Sequence, residues 1–255
     1  MNAIVAIAIN GFRESRRNRV TVVVFAFAFV MIFSATVALE MTVATFGRVM
    51  TDLGLGVLSI ITTFLTIFLG SGLIPREIER RTIFMVVSKP IGRSAFIVGR
   101  LLGNVVTVFF VTALMAVLFF GQVLAAGSAI HSSQVVAVGG MALQVVLLTA
   151  IAFLFASFSS QYVTAISSTG LFFLGHLAPD LYQMAERSKA EALKPVLKAL
   201  YYVLPNFDRL DFKARATYLE ATSLTEFTAS ATYALGYSVA LVAVACILFE
   251  RRDFK

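Results

Sequence analysis

The chain has 255 residues, 59% of them hydrophobic and 14% charged, with a formal net charge of +7. A water-soluble domain carries about 25% charged residues, so the composition excludes an ordinary soluble globule and indicates an integral membrane protein. Basic loops at one membrane face explain the net charge more simply than nucleic-acid binding does, and the single cysteine, Cys246, excludes an internal disulfide and a multi-cysteine zinc site.

Residues 1–19 form a leader. Ala3 to Phe12 is apolar and slightly amphipathic, and Arg13, Arg16, Arg17 and Arg19 follow it. Charge after the apolar run reverses the order of a cleavable signal peptide and predicts a helix lying on the inner membrane surface. Beyond it, six apolar runs predict spans at 20–39, 53–74, 96–123, 135–158, 162–178 and 228–249. About 20 helical residues cross about 30 Å of hydrocarbon, so the fold class is an all-α integral membrane protein with six transmembrane helices. Ser159, Ser160 and Gln161 make a turn so short that the fourth and fifth spans are predicted to be antiparallel neighbours.

Residues 179–226 break the pattern with seven basic and seven acidic residues. Leu193, Leu197, Leu200 and Leu204 recur at helical spacing, which predicts an amphipathic helix within 181–204. Pro195 falls inside it and predicts a break or kink. A second short helix is expected within 207–220, and Tyr201, Tyr202, Phe207, Phe212 and Tyr218 read as interfacial aromatics. Basic residues set the orientation. With both termini inside, thirteen lie on the inner side and eight on the outer, seven of those eight being matched by the acids of 179–226. That segment is therefore expected to be extracytoplasmic.

The same count puts the charged hairpin 75–95 in the cytoplasm. It opens Pro75-Arg76-Glu77-Ile78-Glu79-Arg80-Arg81-Thr82 and continues to Lys89, Pro90 and Arg93. Pro75 suits the first turn of a short helix, which would set Glu77 and Glu79 near its positive end. Pro90 ends any helix by holding Lys89 out of the α region, and Arg100, near the start of the third span, can reach back to the surface. An ordinary positive-inside loop explains the basic residues but not the two acids. Alternating acids and bases instead offer ion pairing to a partner.

Other chemistry is poorly supported. There is no phosphate-binding glycine loop and no dinucleotide fingerprint, so the chain reads as a non-enzyme. His131 and His176 lack partners at metal-ligand spacing, and the eight Met residues do not cluster. The predicted spans hold essentially no deep charge, which argues against an ion-coupled carrier. Asn104, Gln122, Gln144, Thr62, Thr63 and Ser167 could line a cavity or bond helix to helix.

The hairpin resembles the first cytoplasmic loop of the membrane subunits of type-2 ABC exporters. That loop carries a Glu-x-Glu pair, a basic residue and a threonine, then Ser-Lys-Pro, then a Gly-(Arg/Lys)-x-x-Gly entry to the third span. Glu77, Glu79, Arg81, Thr82, Ser88, Lys89, Pro90, Arg93, Gly99, Arg100 and Gly103 stand in those places. The resemblance implies that 75–95 holds a cytoplasmic coupling helix docked on a separate ATPase, with Glu77, Glu79, Arg80, Arg81 and Thr82 in contact and Lys89, Pro90, Arg93 and Arg100 in support. It further implies two ATPase subunits that bind ATP and Mg²⁺, a second permease copy, and a bacterial inner membrane location, with no cofactor on this chain. The segment 179–226 is similar to that of permeases of the nitrous-oxide reductase maturation type, which implies a possible periplasmic partner protein. A non-transporting membrane scaffold that anchors a cytoplasmic ATPase or a periplasmic partner is the alternative.

Overall fold

The computed structural model describes residues 5–9, 24–31, 33, 43–79, 93–188 and 191–250. These are helical apart from short turns. The elements are α1 (Val43–Glu79), α2 (Arg93–Ala125), α3 (Ser132–Ala156), α4 (Gln161–His176), α5 (Ala178–Arg187), α6 (Leu193–Val203), a 3-10 turn (Asp208–Leu210), α7 (Lys213–Thr217) and α8 (Leu224–Glu250). Residues 5–9 and 24–31 are also helical.

α3 is the axis of the bundle and packs against α1, α2, α4, α7 and α8. Its buried residues fall all round the helix, from Ala137 and Met141 to Leu147, Leu148 and Phe153, as expected of an apolar helix enclosed by others. The surrounding helices are inside out relative to a soluble protein. On α1, Ser59, Thr62, Thr63 and Thr66 are buried, while Ile60, Phe64 and Phe68 form an exposed stripe at four-residue spacing. Phe25 and Phe29 repeat that stripe on the first helix at 71% exposure each. In lipid, apolar side chains gain nothing from hiding, so small and polar groups take the helix contacts.

Among the described residues, four helices are long and apolar enough to cross a membrane, within α1, α2, α3 and α8. Their bounds lie within a few residues of the predicted third, fourth and sixth spans, and the second span is part of a longer helix. Most of the predicted first span lies outside the described residues. Its helical part buries Phe27 and Met31 against Leu55 and Phe119, and Gln122 Nε2 donates to the Met31 carbonyl at 2.7 Å.

The predicted fifth span is α4, which has 16 residues and spans only about 24 Å at 1.5 Å per residue. Pro179 stops it: without an N–H, proline leaves the carbonyl four residues earlier unpaired. That carbonyl belongs to Gly175, and it accepts the Phe207 N–H at 3.2 Å instead. Pro195 also acts differently from expectation. It lies in the first turn of α6, where no N–H is needed, and the break in the amphipathic stretch comes earlier, between Arg187 and Leu193.

The segment after α6 is a wedge driven into one end of the bundle, here called the cap. Phe207 and Phe212 are 0% and 3% exposed, so they are core residues and not interfacial aromatics. Burial of each stabilises the fold by about 1.5–3 kcal/mol. The cap is tied to α8 by Tyr233 Oη accepting the Asn206 N–H at 2.8 Å, by Ser230 Oγ donating to the Arg209 carbonyl at 2.9 Å and by Tyr237 Oη donating to the Val203 carbonyl at 2.6 Å. It is tied to α1 by Lys213 Nζ on Ser59 Oγ at 3.1 Å and by Thr217 Oγ1 on Asp52 Oδ1 at 3.3 Å. α5 and α6 lie outside this wedge and are joined by Lys198 and Glu186 at 2.7 Å. That hydrogen bond and the ammonium charge hold the Glu186 carboxyl below the usual carboxylate range.

Candidate functional site

The end of the bundle opposite the cap holds the roots of the hairpin. Glu77 and Glu79 lie in the last turn of α1, and Arg93 is the first residue of α2. Arg80, Arg81, Thr82, Lys89 and Pro90 lie outside the described residues. Arg100 is half-buried in the second turn of α2, beside a buried Gly99.

The placement of the two acids corrects the expectation from sequence. α1 does not start at Pro75; it runs through that buried proline as one helix of 37 residues. Packing offsets the cost of a proline in a helix interior, since Ile74 is buried at 0% exposure against Phe153, Ala156 and Phe249. Glu77 and Glu79 therefore lie far from the positive end of this helix, where a start at Pro75 would have set them.

Three other segments meet at this root. Phe249 brings the end of α8, and Ile7 and Leu101 pack against the same cluster. The backbone of the short N-terminal helix lies on α2 at Gly103, where an added Cβ would come within 2.8 Å of the Ala8 carbonyl oxygen. The Gly99–Gly103 pair thus includes a seat for the leader helix. Val5 and Ile9 on that helix stay exposed at 46% and 40%, as an interfacial helix requires.

Between the two ends, polar side chains bond one helix to another. Gln144 Nε2 donates to Thr63 Oγ1 at 3.0 Å, and Thr62 and Thr112 share a hydrogen bond at 3.4 Å. The space they line has no room for a water-sized sphere, so these residues bond helix to helix and do not line a cavity. Asn104 differs. It is 2% exposed, and neither amide atom has a hydrogen-bond partner among the described residues. An unsatisfied buried amide costs about 1–3 kcal/mol. Asn104→Leu is expected to leave thermal stability in detergent unchanged or raised, and a clear fall in Tm would mean that the amide is paired.

Among the described residues, no group of three or more His, Cys, Asp and Glu is placed to hold a metal. His176 is structural. Its ring stacks on Phe207 at 5.6 Å between centroids and 5° between planes. Sequence reasoning missed the two glycines that receive the cap, Gly140 and Gly175. Their signal is a glycine in an otherwise bulky span, which has meaning only once the opposing segment is known.

An all-helical bundle with apolar stripes facing outward, polar groups facing inward and a charged hairpin at one end fits a membrane permease. A family model described as ABC-2 family transporter protein matches residues 5–254. The chain belongs to the ABC-2 transporter family. It is a multi-pass membrane protein and the permease component of an ABC system. A search of curated proteins returned no match. In this ABC-2 permease, the match includes both the hairpin and the cap.

Proposed function

We propose that this permease is driven by a separate ATPase subunit that docks at the hairpin 75–95, and that it works as a dimer with two such ATPases in a bacterial inner membrane, exporting an amphipathic or lipid-linked substrate. ATP and Mg²⁺ would be bound by the ATPase and no catalytic step by this chain. The observation that carries the reading is the Glu-x-Glu motif on the last turn of α1, at the end where the leader, α2 and α8 also converge. This end would be cytoplasmic: the leader arginines, the stretch from Arg76 to Arg100 and the tail hold thirteen of the 21 basic residues. The cap would then be extracytoplasmic.

α1 supplies a means of transmission. Its 37 residues extend about 55 Å, from Glu79 past the cap contacts at Ser59 and Asp52. A tilt imposed at the hairpin would reach the cap through one rigid element, which is a physical route for coupling. The exposed apolar residues of α6, Leu193, Val196 and Leu200, support a periplasmic partner at the cap, as in the nitrous-oxide reductase maturation type.

The test is co-expression with an ABC ATPase from the same organism, followed by purification and reconstitution in lipid vesicles. We expect a stable complex whose ATP turnover exceeds that of the free ATPase and moves substrate across the bilayer. A complex that turns over ATP without moving any candidate substrate would favour the scaffold reading, and failure of any ABC ATPase to bind would sink both.

A further inference from the structure

We propose that the cleft beside the cap is a binding site for a phosphate group, built around Arg48. The cleft has a volume of about 480 Å³ and is walled by the start of α1, the α2–α3 turn, the start of α3 and the end of the cap. That size is within the range of small-ligand pockets. Among the described residues, Arg48 carries the only full charge in its lining, and none of the lining residues is a carboxylate. Arg48 makes no ion pair among the described residues. Asp52, one turn along α1, accepts instead from Thr217 at 3.3 Å and borders a separate hollow of about 370 Å³ on the other side of Arg48.

The walls are fixed in place. Gln134, 3% exposed, donates to Thr51 Oγ1 at 3.0 Å and accepts the His131 N–H at 3.2 Å. Gly127, at φ +73°, closes α2 with two hydrogen bonds of a Schellman turn, Gly127 N–H to the Leu124 carbonyl and Ser128 N–H to the Val123 carbonyl. Leu219 is held at φ +57°, a region that side chains other than glycine rarely adopt. A cleft with one guanidinium that makes no ion pair among the described residues, and with the hydroxyls of Ser128 and Thr51 in its lining, matches a phosphate, which arginine binds through paired N–H donors.

Depth favours the same ligand. The span predicted from sequence over 53–74 would set Thr51 and Arg48 at its outer end, the level of lipid phosphates, and both stand at the start of the apolar stretch Gly47–Gly72 of α1. The phosphate can come from a phospholipid headgroup or from a water-soluble compound. The proposal does not rest on the exporter reading, since binding needs no ATPase.

The experiment uses the full chain in dodecyl maltoside, free of added phosphate. Thermal unfolding is followed while inorganic phosphate or phosphatidylglycerol is titrated at constant ionic strength, with chloride as the control. Wild type and Arg48→Lys are expected to be stabilised, and Arg48→Gln is expected to need at least about tenfold more ligand for the same shift. Ala129→Trp fills the cleft without changing charge and should lose the effect too, so the proposal remains testable if Arg48→Gln folds poorly. Stabilisation by phosphatidylglycerol alone assigns the site to lipid, and stabilisation by both assigns it to a phosphate group from either source. If neither probe stabilises the wild type, or if both Arg48→Gln and Ala129→Trp respond as it does, the proposal is overturned.

Discussion

Alanine at Gly175 or Gly140 is expected to unseat the cap and to lower the stability of the folded chain by about 1–3 kcal/mol. At Gly175 an added Cβ would run into the Pro205 carbonyl and come within 2.6 Å of Phe207 Cδ2. At Gly140 it would meet the Leu210 carbonyl and come within 2.7 Å of Phe212 Cδ2. A ring can swing away, but a backbone carbonyl can only take its whole segment with it. That segment is bonded to α1 and α8, so the strain spreads into the cap. Gly121 and Gly236 are the comparison, because a Cβ there meets nothing within 4 Å. Alanine at those positions adds a better helix former and should hold stability or raise it by up to about 1 kcal/mol. The same chemical change is thus predicted to have opposite signs at two pairs of sites. Thermal unfolding of the four variants in one detergent checks this, with limited proteolysis reporting exposure of 205–219. The Gly140→Ala/Gly175→Ala double variant should cost less than the two singles together, since both release one segment. Alanine at Gly175 with wild-type stability and protection would mean that the cap is not wedged as described.

Four of the six predicted spans coincide with helices long and apolar enough to cross a membrane, whereas the ends of the helices were read poorly. Hydropathy senses where a chain leaves lipid, not where it stops being helical. Arg48 and Asp52 marked a loop by charge, and Pro75 marked a boundary by its missing N–H. Yet α1 passes through all three, because charges four apart cost a water-exposed helix nothing and packing around Ile74 steadies the proline turn. α4 shows the converse. Its 162–178 run looks long enough to span, but Pro179 cuts it and Gly175 hands its carbonyl to Phe207. This contact links residues 32 apart in sequence, and no local pattern announces it.

The cap was the least legible part for the same reason. Balanced charge made 179–226 look like a solvated segment with aromatics at the membrane surface. Tyr202 and Tyr218 do stay exposed, at 73% and 64%, whereas Phe207 and Phe212 are buried. The aromatics sort by their polar handle: tyrosine can remain wet at its hydroxyl, and phenylalanine has nothing to gain there. The hairpin motif is visible in the sequence because charge at fixed spacing needs no fold to display it, while residues 80–92 lie outside the described residues.

That spacing leads to the second large effect. The Glu77→Ala/Glu79→Ala double variant is expected to abolish coupled transport, while the single variants differ in severity. On a helix, two residues apart is about 200° of rotation. The two positions therefore fall on opposite flanks of α1, and an ATPase approaching from one side meets mainly one of them. Removing one partner of a desolvated charge pair at an interface costs about 2–5 kcal/mol. The flank that is docked should thus lose binding or coupling by tenfold or more, and the other should lose much less. Two measurements separate the causes: the amount of ATPase that co-purifies, and substrate moved per ATP in vesicles. Loss of both places the residue at the docking contact. Retained binding with lost transport places it in the transmission from hairpin to α1. If the two single variants are equally severe, the segment is extended when docked, since residues two apart share a face only in a strand. If the double variant binds the ATPase and transports as the wild type does, Glu77 and Glu79 are not the coupling residues, and the hairpin is an ordinary basic loop.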